Sequence, residues 1–399
     1  MDPKQFTPEK TGELRQFHSL VTGRDEWLFL PDEMPPKWEF PVRLWPLLSE
    51  ASTALGTLNG IGQTLPNPEL LLRPLQSREA ITSSRIEGTY VTPEQLLLYE
   101  LDPSDLGSSD ERSAEWREVS NYSRALRQGC DLLEELPIAS RLITSIHSTL
   151  MSGTRGPSKS PGKFRSIQVQ IGVQGKYVPP LPPEIHRLMG NLENFINSDD
   201  SHYDPLILCY LTHYQFEAIH PFIDGNGRVG RALLSLMTYR KLQLTMPWLY
   251  MSAFFEQHRE EYTDKLFRVS THGDWDSWIE LCLYGTVVQA NDAIARCDLF
   301  NQMRQRFRDQ ISAPTSRTSD IVEGLFHSPV VTIPYLKRRF GIHYQTAQKD
   351  VERLVFDGIL AEMEGQYPRS FYAPALFRIA YSDSPVDITE EDIDSGIPR

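Results

Sequence analysis

Cysteine is scarce in this chain: Cys130, Cys209, Cys282 and Cys297 are spread through 399 residues with no C-x-x-C pair. That excludes a zinc cluster or a disulfide framework and suits a reducing cytoplasm. No run of about 18 apolar residues occurs, and residues 1–20 mix charge with few apolar side chains, so neither a membrane span nor a signal peptide is predicted. Positive charge is also short, with 40 basic residues against 53 acidic ones and a formal net charge of −13. The average surface therefore repels nucleic acid and anionic membrane, and any polyanion must be held by a local basic site. With 24 glycines and 29 prolines the chain is no fibrous or disordered sequence, and its length allows two or three domains of about 150 residues.

Residues 31–41 (PDEMPPKWEFP) read as an extended arm, because proline removes donors and restricts its predecessor. From Leu44 the apolar residues recur at helical spacing, with Gly60 and Gly62 as the stop. A second helix is predicted from Pro74 through Ile86, capped by Glu87 and Gly88. Residues 102–113 read as a surface loop before a long helix from Ala114. Ser166 to Ile171 alternates polar and apolar residues before Gly172–Gly175 and Tyr177-Val178-Pro179-Pro180, the pattern of a β-hairpin and the only clear strand signal before residue 350. Nearly everything from Pro183 to Arg308 reads as helix. The expected class is mainly α, a helical core with one hairpin.

The informative stretch is His220-Pro221-Phe222-Ile223-Asp224-Gly225-Asn226-Gly227-Arg228-Val229-Gly230-Arg231. Gly225-Asn226-Gly227 allows a tight turn with positive φ and close approach of an anion to the main chain. A helix starting near Gly227 adds unpaired N–H groups and its positive dipole end. Arg228 and Arg231, three apart, can clamp phosphate oxygens with planar geometry. Asp224 is a hard oxygen ligand suited to magnesium, and His220 titrates near neutrality and can take a proton from a hydroxyl. Taken singly, a histidine before proline is usually a cap and a DGNG turn usually a loop; together with two arginines at a helix start they make a phosphoryl-transfer site.

This stretch resembles the Fic motif HPFx[D/E]GNGRxxR of enzymes that attach AMP to protein hydroxyls, and the likeness extends over roughly residues 30–300. The resemblance implies a Fic-type helical core with residues 164–180 as its flap hairpin. It implies that His220 deprotonates a Ser, Thr or Tyr hydroxyl for attack on the α-phosphate of ATP, and that Asp224 holds Mg2+. Gly225 to Gly227 would cradle the β-phosphate, Arg228 and Arg231 the terminal phosphates, and Asn226 the loop and α-phosphate. Phe222 would anchor the loop in the core. Tyr262 and His258, on a helix from Ser252 to Phe267, would lie on the adenosine side, with His258 where many relatives have asparagine. Ser83, Glu87 and Gly88 fit the inhibitory motif [S/T]xxxE[G/N], which implies that Glu87 pairs with Arg231 and restrains the protein in cis. A homodimer and self-modification also follow from the resemblance, and the flap either docks the target protein, with Ile167, Val169 and Ile171 turned inward, or is an ordinary edge hairpin. Another nucleotide, or removal of AMP, stays open.

Residues 311–320 turn small and polar around Pro314, which marks a boundary. Residues 315–381 then read as a winged helix-turn-helix: helical runs at 335–340 and 346–356, and strands near 359–361 and 371–373. Its second helix carries Gln345, Gln348, Lys349 and Arg353, the pattern of a DNA reader, and a nucleotide-sensing DNA-binding regulator is the competing reading. The unit has eight bases against seven acids, a balance that suits protein contact or dimerisation as well as DNA. The predicted domains are thus 1–113, with an inhibitory helix at 74–88; 114–308; 315–381; and an acidic tail, 382–399. A P-loop at residues 156–164 is rejected on spacing, and His147, His202, His213 and His272 are assigned to core or surface.

Overall fold

The computed structural model describes residues 1–19, 22–64, 68–101, 111–153, 160–172, 175–198, 202–312, 314–366 and 368–383. Its first elements are strands, β1 (Gly12–His18) and β2 (Asp25–Pro31), which pair antiparallel with Gly12 opposite Pro31. The sequence reading missed this hairpin because Leu14 and Phe17, the apolar residues of β1, fall on opposite faces and break the period of two.

Helices follow: α1 (Trp45–Thr64), α2 (Glu69–Ile86), α3 (Pro93–Leu101), α4 (Glu111–Leu133), α5 (Ser140–Leu150) and α6 (Pro182–Asn197). Next come α7 (Pro205–Ile219), α8 (Asn226–Lys241), α9 (Ser252–Gln257), α10 (Arg259–His272), α11 (Trp275–Gln310) and α12 (Ser316–Leu325). Several expected boundaries move. α1 continues through Gly60 and Gly62, and Gly62 is there for packing: a Cβ would lie 2.4 Å from the Trp248 ring. α2 begins five residues before Pro74, which sits inside the helix. The single helix expected from Ser252 to Phe267 breaks at His258, which separates α9 from α10. α4 starts at Glu111, and the loop predicted ahead of it lies outside the described residues over 102–110.

Among the described residues of 164–180 one bridge, Ile171 to Tyr177, is formed and no ladder. Ile167 is 55 % exposed, so the alternating residues do not all face the protein as expected. The carbonyls that a ladder would use are instead taken by Arg165 and Gln168, as described below.

The chain packs around two apolar clusters. The first runs from Leu28 to Ala293, and the second gathers Cys297, Phe300, Met303 and Phe307 of α11 with residues up to Ala380. The second cluster is enclosed by α12, β3 (Val330–Thr332), α13 (Ile333–Phe340), α14 (Tyr344–Phe356), β4 (Ala361–Met363), β5 (Ser370–Tyr372) and α15 (Pro374–Tyr381). The three strands form an antiparallel sheet in the order β3-β5-β4. β3, like β1 and β2, is a strand before residue 350 that the reading lacked. α11 spans both clusters, and its buried Arg296 donates to the Ser382 carbonyl (2.8 Å) while bridging Asp292, which also pairs with Arg78 of α2 (2.9 Å). Most of the predicted acidic tail, from residue 384, lies outside the described residues. No described helix is long and apolar enough to cross a membrane.

Candidate active site

α7 is buried on nearly every side, so it delivers its C-terminal end into the middle of the fold. It stops at His220, whose backbone is left-handed (φ 51°), a conformation that costs a non-glycine residue about 1–2 kcal/mol. Bonds from α7 itself and from Arg165 hold it there. The His220 amide donates to the Phe216 carbonyl (3.0 Å), and the buried Arg165 donates through Nε to the His220 carbonyl (2.8 Å) and through its amide to the Pro221 carbonyl (2.9 Å). Arg165 also donates to the Pro180 carbonyl (2.5 Å), and Gln168 to that of Pro179 (2.7 Å), which ties the flap segment to the loop. Farther along, Asn226 clamps Phe222 from both sides, accepting from its amide (2.8 Å) and donating to its carbonyl (2.9 Å). Asn226 therefore fixes the loop, and both ends of its amide are spent on that. Phe222 is fully buried and stacks on the His147 ring at 3.8 Å, as an anchor should.

Gly225 (φ 79°) precedes α8 and offers no side-chain cap, so the first amides of α8 face outward as an anion site. The end of α2 lies against them. Glu87 caps α2, Gly88 turns the chain away at φ 91°, and the Glu87 carboxylate reaches over Gly227. A Cβ at position 227 would sit 2.2 Å from Glu87 Oε1, so only glycine lets an anion come this close to the helix start. Arg231 completes the contact, donating to Glu87 Oε1 (2.8 Å), to Ser83 Oγ (2.9 Å) and to the Ser83 carbonyl (2.9 Å). The structure brings Ser83, Glu87, Gly227 and Arg231 together.

Arg228 turns elsewhere. It pairs with Glu118 of α4 and lies 3.7 Å from Asp224 Oδ1, while its Nε is buried without a hydrogen-bond partner. The two arginines thus each hold a carboxylate from a different helix. Asp224 Oδ1 accepts from the Gly225 amide (2.6 Å) and keeps about a third of its side chain exposed. Among the described residues no cluster of three or more His, Cys, Asp or Glu could cage a metal. The partly exposed Asp224 carboxylate beside an anion site fits magnesium, which keeps waters and is shared with substrate phosphates.

The electrostatics follow from burial. The His220 ring, with Nδ1 buried and without a hydrogen-bond partner, is pushed down to about 4 by desolvation and by Arg165, against a smaller opposing pull from Glu87. It is neutral at pH 7, the form a base requires. Burial pushes the Glu87 carboxyl up, but Arg231, with help from Arg228 and His220, outweighs that and lowers it. Burial also works against the Arg231 charge, and Glu87, Tyr262 and Tyr122 more than restore it. Glu217, one turn before His220, is raised to about 7 by burial, and its Oε1 has no hydrogen-bond partner.

Tyr262 is 3 % exposed, bonds His213 Nε2 through its hydroxyl (2.9 Å) and stacks on Phe255, so it lies behind Arg231 within the core. His258 packs on Phe254 and faces Glu261. Sequence reasoning missed Arg165, Glu118 and Glu217, and set His147 aside. His147 sits on the apolar stripe of α5 among Leu142, Ile143, Ile146 and Leu150. A polar residue on a core stripe was the available signal.

Residues 45–131 match the Fic/DOC family N-terminal region and residues 137–238 the Fic/DOC family. The chain carries a Fic domain. In sequence it is 34 % identical over 128 residues to protein adenylyltransferase Fic of Drosophila grimshawi, covering 32 % of this chain and 26 % of that protein. Protein adenylyltransferase Fic of Aedes aegypti is 35 % identical over 114 residues, 28 % of this chain and 21 % of that one. The chain thus spans about a quarter of the length of these curated relatives. In structure, a Fic family protein from Desulfovibrio desulfuricans shares the fold with a TM-score of 0.54 at 20 % identity, over 85 % of this chain and 98 % of that one. A Fic domain containing signaling protein from Bacteroides thetaiotaomicron gives 0.51 at 18 %, over 63 % and 97 %.

Proposed function

We propose that the chain is a protein adenylyltransferase restrained by its own α2. The observation that carries this reading is the Glu87 carboxylate lying over Gly227 and bonded to Arg231, at a helix start beside a neutral buried imidazole. An anion already occupies the place where a triphosphate end would be gripped. With Glu87 withdrawn, the α8 amides and Arg231 receive the phosphates of ATP, and charge that develops during transfer meets donors already in place.

His220 then takes the proton of a Ser, Thr or Tyr hydroxyl on a target protein. The hydroxyl oxygen bonds to the α-phosphorus, the bond from that phosphorus to the bridging oxygen breaks, and pyrophosphate leaves. Asp224 would hold Mg2+, which when bound neutralises the phosphate oxygens. Asn226 and Arg165 keep the loop in the shape that aims His220. Burial that keeps the ring neutral also makes it a weak base, so most of the rate must come from positioning and charge balance. The acceptor protein, a homodimer and self-modification belong to the same reading, as does a cytoplasmic setting. Residues 315–381 serve in it as an accessory winged-helix module, consistent with the element order α12-β3-α13-α14-β4-β5.

The test is incubation with α-labelled ATP, Mg2+ and cell lysate. The Glu87→Gly protein should label itself or a lysate protein, and Glu87→Gly/His220→Ala should not. Absence of label from Glu87→Gly, with nucleotide nonetheless bound, would replace this reading with nucleotide sensing.

A further inference from the structure

His147 belongs to α5, outside the motif, yet it touches the loop at two levels. Its ring lies flat against Phe222, with centroids 3.8 Å apart and planes inclined by 9°. Its edge bridges two backbones: the Gly162 amide donates to Nδ1 (2.9 Å), and Nε2 lies 3.1 Å from the Asp224 carbonyl oxygen. The first bond fixes the tautomer. Because Nδ1 accepts, Nε2 carries the hydrogen and donates it to Asp224.

The Asp224 carboxylate accepts from the Gly225 amide (2.6 Å) and lies 3.7 Å from Arg228. Asn226 fixes Phe222, and Arg165 fixes His220 and Pro221, so the first half of the loop is braced by those two residues. The Asp224 to Gly225 peptide, whose orientation sets both the carboxylate and the entry to α8, is bonded from α5 by His147. Gly225 leaves no room for slack: a Cβ there would lie 3.1 Å from Leu150 and Met151 and 3.7 Å from the His147 ring.

We propose that His147 is a positioning residue for adenylyl transfer, donating from Nε2 to the Asp224 carbonyl so that the Asp224 carboxylate and the first amides of α8 are held where the phosphates bind. The inference deepens the adenylyltransferase reading and rests on it for its kinetic part. Its structural part is a claim about the loop alone.

Two substitutions separate the two edges of the ring. Glutamine places an NH2 donor near the position of Nε2 and can keep the bond to Asp224. Asparagine is shorter, places an oxygen near Nδ1 and can keep only the bond from Gly162. In the Glu87→Gly background, His147→Ala and His147→Asn should each lower kcat/KM for ATP with Mg2+ by about 10- to 100-fold and raise the Mg2+ concentration needed for half the maximal rate. His147→Gln should recover most of both. Hydrogen exchange of the amides of residues 222–227, followed without nucleotide, should speed up in the alanine and asparagine proteins and stay near the parent in the glutamine protein. Equal exchange in all of them, or rescue by asparagine as good as by glutamine, overturns the proposal. If the parent transfers no AMP, the enzymatic reading falls while the exchange result still decides whether His147 holds the loop. Should the alanine protein fail to fold, the comparison of glutamine with asparagine decides.

Discussion

The loop of residues 220–231 and the unit of residues 315–381 use polar groups in opposite ways. In the loop, Arg231 and Arg228 are nearly buried and hold carboxylates from α2 and α4, Asn226 bonds back to Phe222 within the loop, and the buried Arg165 ties the flap to His220. In the C-terminal unit the ion pairs are more open to solvent: Arg369 and Glu362 are exposed by 50 % and 42 %, and even where Asp350 is mostly buried its partner Arg317 keeps a third of its side chain exposed. Exposed pairs contribute about 0–1 kcal/mol, whereas buried charges are costly to leave unpaired. The difference locates the chemistry: energy is stored where charge is buried, so substitutions should act strongly in the loop and weakly in the second unit.

The largest expected effect is His220→Ala. In the Glu87→Gly background it should reduce transfer of labelled AMP by about 10²–10⁴-fold, the usual range for loss of a general base. ATP affinity by calorimetry should change far less. A reduction of only a few-fold would remove the loop from its side of the comparison.

Glu87→Gly comes next. It should raise AMP transfer about tenfold or more, because a contact of one to two kcal/mol that competes with phosphate is removed. It also leaves Arg231 buried without its carboxylate. A fully buried pair broken in this way costs about 3–5 kcal/mol, but Glu87 keeps 36 % of its side chain exposed, so about 1–2 kcal/mol is expected. The apo variant should therefore melt lower than the parent and gain more from added ATP. The Glu87 carboxyl is lowered below its unfolded value, so its contribution is present above about pH 4.5 and fades as the pH falls through the folded pKa. Inhibition that weakens between pH 6 and pH 8 would implicate another group.

Several of these relations were legible in the sequence, for a physical reason. The loop's function requires particular residue types within a dozen positions, so His220, Asp224, Gly227 and Arg231 stand side by side in the chain. The pairing of Glu87 with Arg231 spans 144 positions; it was reached only through the resemblance of Ser83-Ser84-Arg85-Ile86-Glu87-Gly88 to an inhibitory motif. Arg165 and Glu118 act through contacts that the fold alone creates, and no local pattern announces them; for His147 the sequence shows only a polar residue on the core stripe of α5. The flap misled the reading because alternation at Ile167, Val169 and Ile171 reports extended backbone, whereas a ladder also needs free carbonyls, and Arg165 uses those of Ile167 and Pro180. Gly60 and Gly62 misled it in the reverse sense, since a packing glycine and a stop glycine look alike in one dimension.

A third prediction concerns pH and buried groups near the loop. His147, His213 and His220 are lowered to about 4, 3 and 4, chiefly by burial. The unfolded chain binds their protons below about pH 6.5 while the folded one resists, so their effect is a loss of stability as the pH falls from about 6.5 toward 4. Glu217, raised to about 7 by burial against the pull of Arg231, has the opposite sign. The folded state retains its proton, and stability falls as the pH rises from about 4.5 through 7. Glu217→Gln keeps the shape and removes the titration. Relative to the parent, it should gain on the order of 2 kcal/mol at pH 8 compared with pH 5 in denaturant melts. An identical pH profile for the two proteins would mean that Glu217 is ionised and paired within the fold.

The smallest effect is expected in the second unit and tests the other side of the comparison. Thr315 caps α12: its hydroxyl accepts from the Thr318 amide (3.1 Å), while the Thr318 hydroxyl accepts from the Thr315 amide (2.9 Å). Removal of such a cap costs about 0.5–2 kcal/mol, because the freed amides at the helix start must find other partners. Thr315→Ala should therefore lower the melting temperature slightly. It should leave AMP transfer in the Glu87→Gly background unchanged, since no bond of the capping box reaches the loop. A route by which the unit could reach the site runs through α15, where Arg296 holds the Ser382 carbonyl and shares Asp292 with Arg78 of α2. A cap at the far end of the unit should not strain that route. If Thr315→Ala nevertheless changes transfer, loosening of α12 is passing through the second cluster to α2, and the contrast between a site of buried charge and an energetically separate unit no longer holds.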